Sequence, residues 1–288
     1  MIVVAIVLVA IAVIAALVGA RAATSGPGGD DASPEPWVVA RSPSWARSWA
    51  RTLDRRVVGG VVVASTFVVI FVAAVVVGWI FSSIDAAGGI ARWDESAARW
   101  GADSATETST TVLDALTRLG GTPYLLPLMI AIGLHRRVRD GHWRAGIYLA
   151  VVGLGITVLN NGLKLLVDRE RPSVSQLTGY SGTSFPSGHS AAAAACWAAI
   201  ALVLARHRSS GRRRAVAAAA VVVAVTVAAT RVLLGVHWVS DVVAGVVVGW
   251  AWFAVATLAF GGRLLRFGEV GRSGASSTPT SSTEEFAR

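Results

Sequence analysis

An all-α, polytopic membrane helical bundle is the fold class that this sequence predicts, with a six-span core behind one N-terminal transmembrane anchor. Three observations point to it. The 288-residue chain is 54% hydrophobic and only 15% charged, with a mean hydropathy of +0.60, values that exclude an ordinary soluble or disordered chain. Apolar runs of the roughly 20 residues needed to cross a bilayer recur along it. Between them, arginines fall in short clusters, as in loops on the inner side of a membrane. The formal charge of +9 therefore reads as topology and not as a nucleic-acid footprint.

The first run, 1–20, ends in Val18-Gly19-Ala20, which would also suit a signal-peptide cleavage site. No basic residue precedes it and arginines follow it. That is the wrong polarity for secretion, so a retained anchor is predicted. A cytoplasmic segment, 21–56, follows. It contains a Gly/Pro/Asp linker at 26–36, then Trp45, Trp49 and Leu53 at four-residue spacing with Arg47, Arg51 and Arg55 on another face. This pattern fits either a short helix lying on an anionic leaflet or a solvated loop.

The core, 57–261, offers spans at 57–82, 122–135, 143–167, 187–205, 214–234 and 237–261. The second is short, but Arg136, Arg137 and Arg139 follow it directly. Arginines in 21–56, in 136–144 and in 206–214 place those three segments inside. The stretch 83–121 carries Asp85, Asp94, Glu95, Asp103, Glu107 and Asp114 against three arginines, and so faces outward. The loop 168–186 and the junction 235–237 then also fall outside. The outer stretch, with Trp93, Trp100 and the Val112, Leu113, Leu116 stripe, is expected either to lid a pocket or to pack on the bundle.

Gly245 and Gly249 form a small-xxx-small pair suited to packing within the bundle or to dimerisation. Cys196, the single cysteine, lies in an Ala-rich span and reads as a small core residue. The tail, 262–288, is assigned to the cytoplasmic side. From 271 it is Ser/Thr-rich without apolar periodicity and is predicted to be disordered.

Chemistry concentrates at the outer ends of the later spans. Lys164 is the only lysine, every other basic residue being arginine; a lysine that survives such a bias points to a need for a compact ammonium. It sits near the end of the span 143–167, and Pro172 blocks helix continuation soon after, so that Arg171 can fold back beside it. Alone, Lys164 could simply snorkel. Asn160 and Asn161, one turn earlier, are either supports for a site or interhelical hydrogen-bonding groups.

Pro186-Ser187-Gly188-His189 stands where the outer loop becomes a helix. Ser187 is a natural N-cap, Gly188 permits close backbone approach, and free N–H groups at a helix start attract anions. Alone, the tetrapeptide could be a cap with an interfacial histidine. Arg231 ends one span, His237 starts the next, and Asp241 follows four residues on, a helical spacing that sets carboxylate beside imidazole. Asp241 can then fix the ring's tautomer and leave the other nitrogen free to attack. Alone, this is a buried Asp–His pair. Together, three cations, two histidines and a carboxylate at successive helix ends on one side describe a phosphoryl-transfer site.

These motifs resemble those of the type-2 phosphatidate phosphatase and vanadium haloperoxidase superfamily. The pattern Lys-x6-Arg-Pro is met by Lys164 to Pro172, Pro-Ser-Gly-His by 186–189, and Ser-Arg-x5-His-x3-Asp by Thr230, Arg231, His237 and Asp241, with Thr230 in place of the usual serine. The resemblance covers about 57–261, and the three parts in order are far more specific than any one of them.

The resemblance implies a membrane lipid phosphatase that acts on a phosphomonoester or diphosphate such as undecaprenyl diphosphate, phosphatidate or phosphatidylglycerophosphate. Lys164, Arg171, Ser187, Gly188 and Arg231 would bind the phosphoryl oxygens. His237, oriented by Asp241, would attack phosphorus, and His189 would protonate the leaving group and then activate water. No cofactor or metal is implied, and no metal-ligand spacing appears. The expected partners are the lipid substrate and the bilayer. Rival readings are a phosphotransferase on the same fold, a vanadate haloperoxidase (whose relatives are soluble), and a phosphate-lipid binding or transport protein that is not an enzyme.

Overall fold

A computed structural model describes residues 55–264 apart from Ala87, Ser175, Tyr180, Ser181 and His207. The anchor expected at 1–20, the segment 21–54 and the tail beyond 264 lie outside the described residues.

Eight α-helices make up the fold among these residues. Helix α1 (Arg55–Asp85) is a long apolar rod, followed by a 3-10 turn (Gly89–Trp93). Two short helices then occupy the acidic stretch: α2 (Asp94–Asp103) and α3 (Glu107–Thr117). A capping box starts α3, in which Thr106 accepts from the Ser109 N–H at 3.1 Å and Ser109 accepts from the Thr106 N–H at 2.9 Å. These bonds satisfy donors that a helix start otherwise strands. After a 3-10 turn (Arg118–Gly120) come α4 (Thr122–Asp140) and α5 (Arg144–Leu166), with Gly141 closing α4 in the left-handed region at φ 76°. The remaining helices are α6 (Gly188–Ala205), α7 (Ser210–Leu233) and α8 (Val239–Leu264).

Among the described residues five helices are long and apolar enough to cross a membrane: α1, α5, α6, α7 and α8. The short run expected to span alone at 122–135 qualifies only when joined with α3 and its turn. That pair is bent by 46° at the break. Helix α4 does not qualify alone because its C-terminal end carries Arg136, Arg137, Arg139 and Asp140.

Helix α6 lies at the centre. Ala191, Ala193, Ala194, Ala195 and Ala199 are all buried to 1% exposure or less. Side chains this small allow its neighbours to approach closely, as in small-residue membrane interfaces. Helix α8 uses the approach most fully: a Cβ on Gly249 would stand 2.3 Å from the Ala191 carbonyl oxygen, and one on Gly245 2.6 Å from that of Ser187. Packing within the bundle is therefore the use to which this glycine pair is put. Cys196 is buried in the same core.

Helices α5 and α8 interlock at Gly155, where the Trp252 indole fills the space of the missing side chain and donates from Nε1 to the Val152 carbonyl at 3.0 Å. Large apolar side chains such as Phe71 and Val158 are instead exposed on the bundle's outside, as lipid contact requires.

The alternation of helix direction brings the end of α5, the start of α6, the end of α7 and the start of α8 to one end of the bundle. The arginine-rich turns between α4 and α5 and between α6 and α7 lie at the other. Gly155→Ala would set a methyl 2.0 Å from Trp252 Cζ2, an overpacking that costs about 1–3 kcal/mol. A lowered thermal midpoint in detergent is expected, and an unchanged one would show that the indole has another place to go.

Candidate active site

The site is built where the four helix ends meet. Helix α5 stops at Leu166 and its chain continues extended through Val167. The loop 167–187 is then pinned back across the bundle's end. The Leu177 N–H donates to the Leu234 carbonyl at 3.1 Å, and the Ser184 N–H to that of Arg169 at 2.8 Å. Between α7 and α8 the chain turns sharply at Gly235, whose φ of 69° suits glycine. In that turn the Arg231 carbonyl accepts from the N–H groups of Val236 and His237. His237 therefore stands just before α8 and not in its first turn, which corrects the helical spacing expected from the sequence.

Two of the three predicted cations converge on one atom. Lys164 Nζ and Arg171 Nη2 both donate to the Thr183 carbonyl oxygen, the second at 3.2 Å. Arg171 also donates from Nε to the Gly182 carbonyl at 3.0 Å and from Nη1 to that of Val236 at 2.6 Å. Arg231, the third, is 3% exposed and donates from Nη1 to Thr117 Oγ1 at 3.1 Å. Its Nε is buried without a partner among the described residues. It lies within electrostatic reach of Arg171, His189 and His237.

The geometry assigns the tautomer of His237. Its Nε2 lies 3.3 Å from Arg171 Nη1, and because a guanidinium has only donors, Nε2 must present its lone pair. The proton then sits on Nδ1, which faces Asp241 Oδ2 at 3.5 Å. Burial pushes the imidazole down to about 4, with Arg171 and Arg231 adding to the fall and Asp241 opposing it. At neutral pH His237 is thus an uncharged ring with its nucleophilic nitrogen aimed at the cations.

Asp241 is fully enclosed and holds more partners than the sequence indicated. Its Oδ2 accepts from the Ser184 hydroxyl and from the Trp238 N–H at 3.0 Å. Its Oδ1 accepts from Arg169 Nη1 at 2.5 Å. Arg169 reaches on from Nη2 to Asp94 Oδ2 at 2.8 Å and from Nη1 to Ser240 Oγ at 2.7 Å. Asp94 accepts in turn from the Ser240 N–H at 2.9 Å and hydroxyl at 2.6 Å. Sequence reasoning missed Arg169, Asp94, Ser184, Ser240 and Thr117. Arg169 alone left a trace, as a second arginine two residues before the motif arginine.

The loop-to-helix turn differs in detail from expectation. Ser187 occupies the N-cap position of α6 but its side chain makes no capping bond. Its Oγ accepts from Ser190 Oγ at 2.9 Å, and its N–H donates to the Asp241 carbonyl at 3.0 Å. Gly188 lies against the Asn160 amide, which a Cβ would meet at 3.2 Å. Asn160 is buried with Oδ1 unpaired and makes no interhelical bond among the described residues, whereas Asn161 is exposed.

His189 is seated against the Gly120-Gly121 pair. A Cβ on Gly120 would press to 2.8 Å from the His189 carbonyl, and one on Gly121 to 3.4 Å from its Nε2. Thr230, at the serine position, spends its hydroxyl on the Val227 carbonyl of its own helix at 2.6 Å. The acidic stretch packs on the bundle and supplies two site partners, Asp94 and Thr117. Among the described residues no group of three or more His, Cys, Asp or Glu side chains could hold a metal ion.

A sequence profile of the PAP2 superfamily matches residues 141–264. Phosphatidylglycerophosphatase B of Bacillus subtilis is 37% identical over 140 residues, which are 48% of this chain and 68% of that protein. The crystal structure of a transmembrane PAP2-type phosphatidylglycerolphosphate phosphatase from Bacillus subtilis superposes with a TM-score of 0.60 at 30% identity, covering 67% of this chain and 94% of that one.

Histidine-labelled protein titrated by NMR in detergent should show the His237 ring still neutral well below the free-imidazole range of about 6.5. Protonation at 6.5 would show that water reaches the ring.

Proposed function

This chain belongs to the PAP2 superfamily, and from that premise we propose that it removes phosphate from a membrane lipid through a phosphohistidine on His237. The observation that carries the reading is the neutral Nε2 of His237 set 3.3 Å from Arg171, a cation that shares one oxygen acceptor with Lys164. The Thr183 carbonyl marks where an anionic oxygen finds both cations. Arg231, with its unpaired Nε, supplies a third. Ser187 and the amide of Gly188 complete the pocket at the start of α6, where the helix dipole favours negative charge.

In the proposed reaction these groups hold the non-bridging oxygens and neutralise the charge that spreads over them in the transition state. The His237 Nε2 lone pair forms the N–P bond while the bond from phosphorus to the leaving oxygen breaks. His189, which enters as the imidazolium, gives its proton to that oxygen and becomes the neutral ring. Nδ1–H of the now cationic ring faces the Asp241 carboxylate throughout. Water then attacks phosphorus, His189 takes the proton back, and the electrons of the N–P bond return to His237 as phosphate leaves. Three cationic side chains supply the charge stabilisation, so no step is routed through a metal.

The relatives named phosphatidylglycerophosphatase favour phosphatidylglycerophosphate over phosphatidate or undecaprenyl diphosphate as substrate. The site lies at the end of the bundle opposite the arginine-rich turns. The positive-inside rule puts it on the extracytoplasmic face, beside the acidic stretch. A single cysteine placed at exposed Gly179, in a Cys196→Ala background, should react with an impermeant maleimide in intact cells. Labelling only after lysis would reverse the orientation.

The decisive experiment is phosphate release from a panel of purified phospholipids and isoprenoid diphosphates, with His237→Ala as control. Wild-type protein should release phosphate and trap an acid-labile, base-stable phosphoenzyme, and the variant should do neither. Turnover by His237→Ala would rule out the covalent route.

A further inference from the structure

The strongest unassigned feature is a chain of alternating charges that runs from the outer helix α2 into the site. Asp94, the first residue of α2, is 4% exposed although it comes from a polar, largely exposed helix. Both its oxygens are used: Oδ1 accepts from the Ser240 N–H, and Oδ2 from the Ser240 hydroxyl and Arg169. Asp94 therefore caps the beginning of α8 from another element, satisfying a backbone donor that the helix start strands. Arg169 fills the space between Asp94 and Asp241 and lies over the Trp238 ring, 5.5 Å from its centre. Trp238 in turn donates from Nε1 to the Glu170 carbonyl at 2.9 Å. One guanidinium thus ties α2, the loop 167–187 and the start of α8 together.

Geometry alone would make this a brace, but the charges give it a second consequence. A buried carboxylate bound directly by a guanidinium is largely neutralised by it. Were Arg169 and Asp241 a closed pair, the carboxylate could do little for the positive charge that His237 acquires on attacking phosphorus. The second carboxylate restores the balance, so that Asp94, Arg169 and Asp241 together carry one negative charge. We propose that Asp94 and Arg169 are positioning residues, acting through Asp241 to set both the orientation of His237 and the negative charge presented to it.

The other charged or titratable groups facing His237 come from elsewhere: Arg171 from the loop, Arg231 from α7 and His189 from α6. Lys164 on α5 acts on Asp241, and Asp114 on α3 acts on Arg231. Among the described residues none of them bonds to Asp94 or Arg169, so the two can be varied without removing a phosphate-binding group. The proposal rests on the reading of His237 as nucleophile. It is tested by a measurement that does not require turnover.

The test follows the ring of His237 by NMR in histidine-labelled protein, assigned by the signal lost in His237→Gln. Arg169→Gln should raise the pH at which the ring protonates by about one to two units, the effect of removing one nearby cation. Asp94→Asn should keep the ring neutral to still lower pH. The double variant should return toward wild type, and Asp94→Glu, which keeps the charge, should stay near it.

On a hydrolysed lipid, Asp94→Asn should lower kcat about 10- to 100-fold, as losses of orienting partners do, with KM changing less. Opposite shifts that cancel in the double variant support the proposal. A bystander brace would move the ring in neither direction, and unfolding would release all histidines together in every variant; either result overturns it. If the shifts appear but wild-type protein releases no phosphate, the proposed function fails and the charge chain stands.

Discussion

Three cations held together at one end of an apolar bundle repel one another, and the rest of the site is arranged around keeping them there. Lys164, Arg171 and Arg231 each donate to neutral oxygens of the chain. Lys164 and Arg171 are held by backbone oxygens of Thr183, Gly182 and Val236, and Arg231 by the hydroxyl of Thr117. Neutral acceptors satisfy the N–H groups without cancelling the charge. A site that must attract an anion needs this distinction, because a carboxylate partner would have to be displaced by every incoming phosphate. The carbonyls depend on the path of the loop 167–187 and on the turn at Gly235, so the cations stay in place only while those two segments stay pinned.

The pinning begins in the bundle. Helix α6 can approach α8 only because its side chains are mostly alanine and because Gly245 and Gly249 leave nothing in the way. That closeness lets the Ser187 N–H reach the Asp241 carbonyl, which joins the first turn of α6 to the residue beside His237 and, on the proposed function, the phosphate-binding turn to the partner of the nucleophile. Gly120 and Gly121 do the same for His189 from the other side. Small residues thus carry the precision of the site, and the reactive side chains are placed by backbones that touch.

Much of this was legible in the chain. Every later helix falls within a few residues of its apolar run, because a run long enough to span must bond its own backbone. The predicted site residues gather at one end because strict alternation of spans leaves their helix termini nowhere else to go. The ring of His237 was expected in the first turn of α8 and stands before it, since the turn at Gly235 draws its N–H to Arg231. Ser187 was expected to cap and instead accepts from Ser190. Asp94 and Arg169 were not legible as partners. They are separated by 75 residues, Asp94 reads as one more acid in an outer stretch, and Arg169 as one more arginine. No periodicity marks a contact of that kind.

The charges of the whole site give a last constraint on what fits it. Lys164, Arg171 and Arg231 contribute three positive charges, and the group of Asp94, Arg169 and Asp241 contributes a single net negative one. Asp114 acts on Arg231 and offsets part of that charge, while the proton that His189 brings to the proposed reaction adds to it, so the pocket stays positive overall, as a phosphomonoester dianion requires. A monoanionic diester would offset less of that charge in surroundings of low dielectric, and it would present fewer oxygens to the unpaired Nε of Arg231. On the proposed function, selectivity for a terminal phosphate over the diester linkages that fill a membrane then needs no recognition of the lipid tail. It follows from charge, in a pocket whose cations donate to neutral oxygens of the chain.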